Sequence, residues 1–115
     1  MTGGLIAVLA VSDAAFACKC AVVPRDQVIA ATPVVFEGRI LKIDTRGTAQ
    51  TTTVNVVRPI KGISAGVTIK VRSRTESAAC GYDFREAAKT LLFGSDSTGR
   101  ASLSVRRCTM YNLNE

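Results

Sequence analysis

Four cysteines are the residues whose type and spacing suggest chemistry: Cys18, Cys20, Cys80 and Cys108. Only Lys19 separates the first two, and such a pair can bind a metal, carry a lipid or form crosslinks. A metal site is disfavoured, because the chain has no histidine and thiols bind a soft metal only while they stay reduced. Lipidation is disfavoured because Ala15 stands where an aliphatic residue is usual. Structural crosslinking is the simplest interpretation.

The pairing of these cysteines is limited by their spacing. Four cysteines allow three pairings. A bridge between Cys18 and Cys20 would be strained, so we expect the close pair to reach separately to Cys80 and Cys108. The residues alone leave open which joins which. Either arrangement would fasten residues near 18–20 to later parts of the chain and compensate for the thin core of a small domain.

A second candidate for chemistry is Asp83 in the motif C-G-Y-D-F at 80–84. No base or nucleophile is expected beside it, and Glu37 and Glu86 are equally without an expected partner. The absence of histidine excludes Ser–His and Cys–His mechanisms. We therefore expect no enzyme and no cofactor. In this interpretation Gly81 allows a turn, while Tyr82 and Phe84 cover one end of the fold.

The residues before Cys18 are typical of a secretory leader. An apolar run at 5–11 is followed by small residues, Ala15 and Ala17, at −3 and −1 relative to Cys18. We expect a signal peptide at 1–17, a single domain at 18–115, and a secreted or periplasmic protein. The run is too short to span a bilayer. The alternative is a buried amino-terminal strand or helix in an uncleaved protein.

The chain is basic, with a formal net charge of +6. Its lysines and arginines are scattered, and the aromatic residues available for stacking on bases are few, so we expect no nucleic-acid partner. A solvated cationic surface is the simplest interpretation, and attraction to an anionic polymer is an alternative.

The elements that must position the cysteines are mainly strands. Weak helical periodicity predicts a short helix at 25–32, with Asp26 as its cap and Pro33 as its stop. Alternating apolar and polar residues predict five strands, at 34–44, 51–62, 67–73 and 89–95 and within 99–107. Gly38 inside the first strand suggests a bend or bulge of the kind that curls a sheet into a barrel. We expect an all-β fold, a small antiparallel barrel or sandwich.

Several motifs together resemble the bacterial relatives of the tissue inhibitors of metalloproteinases. They are "CKCA" after a leader ending in Ala, "VVFEGRIL", "RPIKG", "CGYDF", "KTLLFG" and a late cysteine. The resemblance covers nearly all of 18–108. It implies a netrin-like domain, a five-stranded OB-fold barrel with a short helix and two disulfides, Cys18–Cys80 and Cys20–Cys108.

The resemblance also implies a partner and a mechanism. In this family the free amine and the carbonyl of the first cysteine chelate the catalytic zinc of a metalloprotease, and the next side chain enters its specificity pocket. Carried over, Cys18 would chelate the zinc of the target and Lys19 would enter the pocket. The protease-binding ridge would comprise Cys18, Lys19, Cys20, Ala21, Val22, Val23 and Pro24. The rival interpretation is a non-inhibitory cell-envelope module that binds another protein or an anionic polymer through its basic surface.

Overall fold

The computed structural model describes residues 18–97 and 102–114. The predicted signal peptide at 1–17 lies outside these residues, as does part of the segment predicted to hold the fifth strand. The described chain is mostly β, with five strands, two short helices and two single 3-10 turns. In chain order the elements are α1 (Arg25–Ala31), β1 (Val34–Arg46), β2 (Ala49–Lys61), β3 (Thr68–Arg74), turns Ser77–Ala79 and Phe84–Glu86, β4 (Thr90–Ser95), β5 (Ser102–Ser104) and α2 (Arg107–Asn114).

The strands form one sheet in the order β4-β1-β2-β3-β5. The predicted antiparallel pairing is found between β1 and β2, β1 and β4, and β2 and β3, whereas β5 runs parallel to β3. The chain leaves β3, adds β4 beside β1 at the opposite edge, and returns to place β5 beside β3. Within 18–97 and 102–114 the sheet is open, since no ladder joins β4 to β5. Two serine side chains at and just after the end of β4 contact β5: Ser95 Oγ donates a 2.6 Å hydrogen bond to the carbonyl oxygen of Ser104, and Ser97 Oγ accepts a 3.4 Å hydrogen bond from the Ser104 N–H.

The long hairpin β1–β2 is the centre of the sheet. It turns at Gly47, whose φ of +59° favours glycine. Register shifts occur beside Glu37/Gly38 and between Ile40 and Lys42. The shift at Gly38 leaves Val57 of β2 without a partner on β1, so the ladder is irregular where a bend or bulge was predicted. A Cβ on Gly38 would also stand 2.5 Å from Val54 Cγ1, so a larger residue would collide with the core.

Alternation along the strands places one face of the sheet inside. Ile69 and Val71 of β3 are buried, as predicted, whereas Val67 lies before the strand and is 39% exposed. Three phenylalanines stack in the core: the ring centroid of Phe93 lies 5.1 Å from that of Phe36 and 5.5 Å from that of Phe84. Phe84 is therefore a core residue rather than a cover over one end of the fold.

The first helix begins and ends nearly as predicted, but its cap differs. Pro24 occupies the N-cap position, and its carbonyl accepts hydrogen bonds from the N–H groups of Gln27 and Val28. Asp26 lies in the first turn instead of capping it.

The second helix was not predicted. In α2, Met110 and Leu113 are three residues apart and both are buried. Leu113 packs against Gly94 of β4, where an added Cβ would lie 2.8 Å from Leu113 Cδ1.

Candidate functional site

Two disulfides anchor the segment that begins at Cys18. Cys18 is joined to Cys80 with a Cα–Cα distance of 5.1 Å, and Cys20 to Cys108 with a distance of 5.2 Å. These are the pairings that the family resemblance implies, and no described cysteine is free. The bridges span 62 and 88 residues of chain. Residues distant in sequence therefore meet beside 18–20.

The backbone around Cys80 is held in an unusual conformation. Cys80 follows the turn Ser77–Ala79 with a φ of +59°, in the left-handed region that side-chain-bearing residues rarely adopt. Its N–H donates to the carbonyl of Ser77, and the N–H of Gly81 donates to that of Glu76. A Cβ on Gly81 would overlap the carbonyl oxygen of Arg74. Glycine is thus required here by the close approach of β3.

The two bridges are connected through the start of α2. The N–H of Arg107 donates a 2.9 Å hydrogen bond to the carbonyl oxygen of Cys80. The next residue, Cys108, carries the second bridge. The helix and the turn that hold the two anchoring cysteines are therefore fixed to each other.

Asn112 on α2 holds the chain beyond the bridges. Its Oδ1 accepts a 3.2 Å hydrogen bond from the N–H of Val23, and its Nδ2 donates a 3.1 Å bond to the carbonyl of Ala21. Arg25 Nε donates to the carbonyl of Leu113 at 2.8 Å. Residues 18–25 are thus fastened at several successive points to later parts of the chain.

The residues of the predicted ridge differ in exposure. Lys19, Ala21, Val22 and Pro24 are exposed, whereas Cys18, Cys20 and Val23 are partly buried. Val22 is 94% exposed although both its neighbours are bonded to Asn112. The structure therefore brings the seven predicted residues together as one continuous strip on the surface.

A shallow pocket lies beside this strip and is lined by Cys18, Cys20, Arg107 and Tyr111. Arg107 Nε is buried and has no hydrogen-bond partner within 18–97 and 102–114. Tyr111 is 47% exposed. Sequence reasoning missed Arg107, Tyr111 and Asn112, because it did not predict α2. The spacing of Met110 and Leu113 was the available signal.

Asp83 has a structural role. Its carboxylate caps the turn Phe84–Glu86, accepting from the Arg85 N–H and the Arg85 guanidinium. Gln50, buried at 1% exposure, donates to the same carboxylate and accepts from the Phe84 N–H. Hydrogen bonds from the Arg85 side chain lower the pKa of Asp83 well below its usual range, and partial burial opposes them.

Of the two other carboxylates expected to lack a partner, Glu37 has one. Glu37 Oε1 accepts a 3.0 Å hydrogen bond from Arg58 Nε across β1 and β2. Over the described residues, no group of three or more His, Cys, Asp or Glu side chains could hold a metal ion. No helix in the same part of the chain has the length and apolarity needed to cross a bilayer.

Comparison with known proteins gives no assignment: no protein-family model and no curated protein matches this chain.

Proposed function

We propose that this protein is an exported, non-enzymatic binding module of the netrin-like type, which inhibits a zinc metalloprotease through residues 18–24. The observation that carries the proposal is the anchoring of this strip. Two disulfides and Asn112 fix its backbone, while Val22 remains 94% exposed. An apolar side chain presented on a fixed backbone is suited to contact another protein.

Anchoring lowers the entropic cost of binding. A flexible segment loses about 1–2 kcal/mol of backbone conformational freedom per residue when it becomes ordered. Here the segment is already ordered in the folded protein, because disulfides hold Cys18 and Cys20 and hydrogen bonds hold Ala21 and Val23. Little backbone freedom is then lost when a partner binds. More of the contact energy then contributes to affinity.

The proposed mechanism uses the backbone of Cys18. Cleavage after Ala17 would leave a free α-amine on Cys18, one covalent bond from the Cα that the bridge to Cys80 holds. That amine and the carbonyl oxygen of Cys18 would bind the zinc of the protease in place of the water that attacks the substrate. Peptide hydrolysis would stop because its nucleophile is displaced.

Lys19 indicates which proteases fit. Its exposed side chain follows Cys18 directly and would enter the pocket that selects substrate side chains. Moving an ammonium group from water into a pocket with no acidic partner costs several kcal/mol of lost hydration. The target protease should therefore have an acidic group in that pocket.

The sheet topology supports an OB-fold barrel as the scaffold. An OB-fold is a five-stranded, partly open barrel. Here β1–β2–β3 form a meander, β4 and β5 lie at the two edges, and the Ser95–Ser104 hydrogen bond links those edges.

The decisive experiment uses the processed protein against a panel of zinc proteases that includes enzymes with acidic specificity pockets. Intact-mass analysis should show a chain that starts at Cys18 with an unmodified amine. One extra Ala before Cys18 should abolish inhibition without changing thermal stability, whereas one extra Ala after Glu115 should leave inhibition intact. Inhibition by both variants at equal strength, or no inhibition of any protease by the authentic protein, would overturn the proposal.

A further inference from the structure

The outward face of β1, β2 and β3 carries three parallel rows of side chains in matched register. Thr53 pairs with Lys42 on one side and Lys70 on the other. The same pattern continues along the strands, with Thr51 between Asp44 and Arg72, and Ala49 between Arg46 and Arg74. We call this face the cationic trough.

The walls of the trough carry long side chains, five of them cationic and one, Asp44, acidic, and its floor is made of small side chains. Neighbouring strands lie about 4.8 Å apart, so its two walls are separated by roughly 9.6 Å. Along each strand every second side chain belongs to a wall, so neighbouring wall residues are about 6.8 Å apart. Ala49 and the hydroxyl-bearing Thr51 and Thr53 are short, so they leave space between the walls.

The charges of the trough are only partly compensated. Arg46 lies 3.8 Å from Asp44, with 87% and 56% of the two side chains exposed. Arg74 pairs with Glu76 beyond the end of β3. Exposed pairs of this kind are weak and exchange readily with other anions.

Three residues of the walls have no acidic partner of this kind. Lys42, Lys70 and Arg72 form no ion pair with any residue of 18–97 or 102–114. Arg72 Nε donates instead to the neutral hydroxyl of Ser102. Lys42 and Lys70 flank Thr53, and Arg72 follows Lys70 along β3, so this end of the trough carries three uncompensated cations that attract an anionic ligand.

We propose that the cationic trough binds one chain of a linear acidic polysaccharide along β2. Guanidinium groups form paired hydrogen bonds with sulfate and carboxylate oxygens. The hydroxyls of Thr51 and Thr53 can exchange hydrogen bonds with sugar hydroxyls on the floor. None of the nine trough positions is aromatic, so the face offers no ring on which the bases of a single-stranded nucleic acid could stack. The proposal does not depend on the protease-binding ridge, whose residues are different.

Binding of a heparin dodecasaccharide, measured calorimetrically at several salt concentrations, tests the proposal. The variant K70T/R72T removes two wall cations and keeps β-branched residues in β3. The control R58T/K89T removes the same formal charge from exposed positions outside the trough, one of which, Arg58, pairs with Glu37. We expect K70T/R72T to weaken binding about tenfold or more and to reduce the slope of log K against log salt by about 1 to 2, with less than about a twofold effect in the control.

A second variant tests the floor and keeps every charge. Thr51→Val replaces the hydroxyl with a methyl group of similar shape, and it should weaken heparin binding by about threefold while leaving binding of inorganic polyphosphate unchanged. Equal losses in K70T/R72T and R58T/K89T would overturn the site. Tighter binding of polyphosphate or of oligothymidylate of matched charge would overturn the choice of an acidic polysaccharide. Thermal unfolding and disulfide mapping must first show that each variant is folded.

Discussion

The side-chain amide oxygen of Asn112 accepts a 3.2 Å hydrogen bond from the backbone N–H of Val23, across 89 residues of sequence. The amide nitrogen of the same side chain donates to the carbonyl of Ala21. One side chain of the last helix thereby pairs with the backbone on both sides of Val22, in the way that a neighbouring strand would.

Replacing Asn112 with Ala should loosen residues 21–23 and lower the free energy of unfolding. Each lost hydrogen bond contributes about 0.5–1.5 kcal/mol, so we expect a loss of about 1–2 kcal/mol in urea denaturation. Hydrogen exchange at the Val23 amide should accelerate. The control Asn55→Ala removes a side-chain amide that has no hydrogen bond to the described residues. An equal loss of unfolding free energy in Asn55→Ala would contradict this account.

Removing either bridge as a Cys-to-Ser pair should lower stability substantially. Loops of 62 and 88 residues correspond to about 4–5 kcal/mol in the chain-entropy model, and measured losses are commonly about 2–5 kcal/mol. Urea denaturation of C18S/C80S and C20S/C108S would measure both. We expect C20S/C108S to have the larger effect on hydrogen exchange of Val23, because Cys20 is closer to it. The reverse order would show that the Cys18 bridge governs the strip.

Asp83→Asn should lower stability in a pH-dependent way. The pKa of Asp83 is lowered in the folded state, so its contribution is fully present above the pKa of the unfolded chain, near 3.9, and is lost as the pH falls through the folded value. The pair with Arg85 is partly exposed, so we expect a difference of about 1 kcal/mol at pH 7. The difference should shrink when urea denaturation is repeated below about pH 4.

The control for this experiment is Asp96→Asn, because Asp96 is exposed and has no hydrogen bond or ion pair with described residues. It should change stability little at pH 7. A constant difference between the wild type and Asp83→Asn down to pH 2 would refute a role for the ionised carboxylate.

Gly81→Ala should be among the most damaging single substitutions in this chain. Its methyl group would overlap the backbone carbonyl of Arg74, so either β3 or the Cys80 turn must move. We expect a loss of about 3 kcal/mol or more, or a reduced yield of correctly bridged protein, measured by urea denaturation and peptide mapping. Gly47→Ala is the matched control. Gly47 has a positive φ but nothing within 4 Å of the added carbon, so it should cost only about 1 kcal/mol.

The strands were predictable because burial follows alternation. Ile69 and Val71 point inward while Lys70 and Arg72 point outward, and this period of two is visible in the sequence. The position of β5 was not predictable in the same way. Its three residues pair with β3 in parallel, and the choice of neighbouring strand depends on contacts distant in sequence that no local pattern encodes.

The candidate site was predictable for its cysteines but not for its other supports. The spacing of Cys18 and Cys20 indicated crosslinks, and a family resemblance implied their partners. Asn112 acts by bonding to backbone atoms, which every residue has, so neither its type nor its position marked it beforehand. The cationic trough was also hidden, because its walls lie on β1 and β3 and face each other only after the strands pair.

The dependence of residues 20–25 on α2 has a consequence for biosynthesis. Cys20, Val23 and Arg25 bind partners that a ribosome adds some 88 residues later. Residues 20–25 therefore cannot make these contacts until α2 has been synthesised. Oxidation before that moment would pair Cys20 with Cys18 or Cys80, and such a bridge would have to reshuffle, over seconds to hours, before Cys20 could join Cys108.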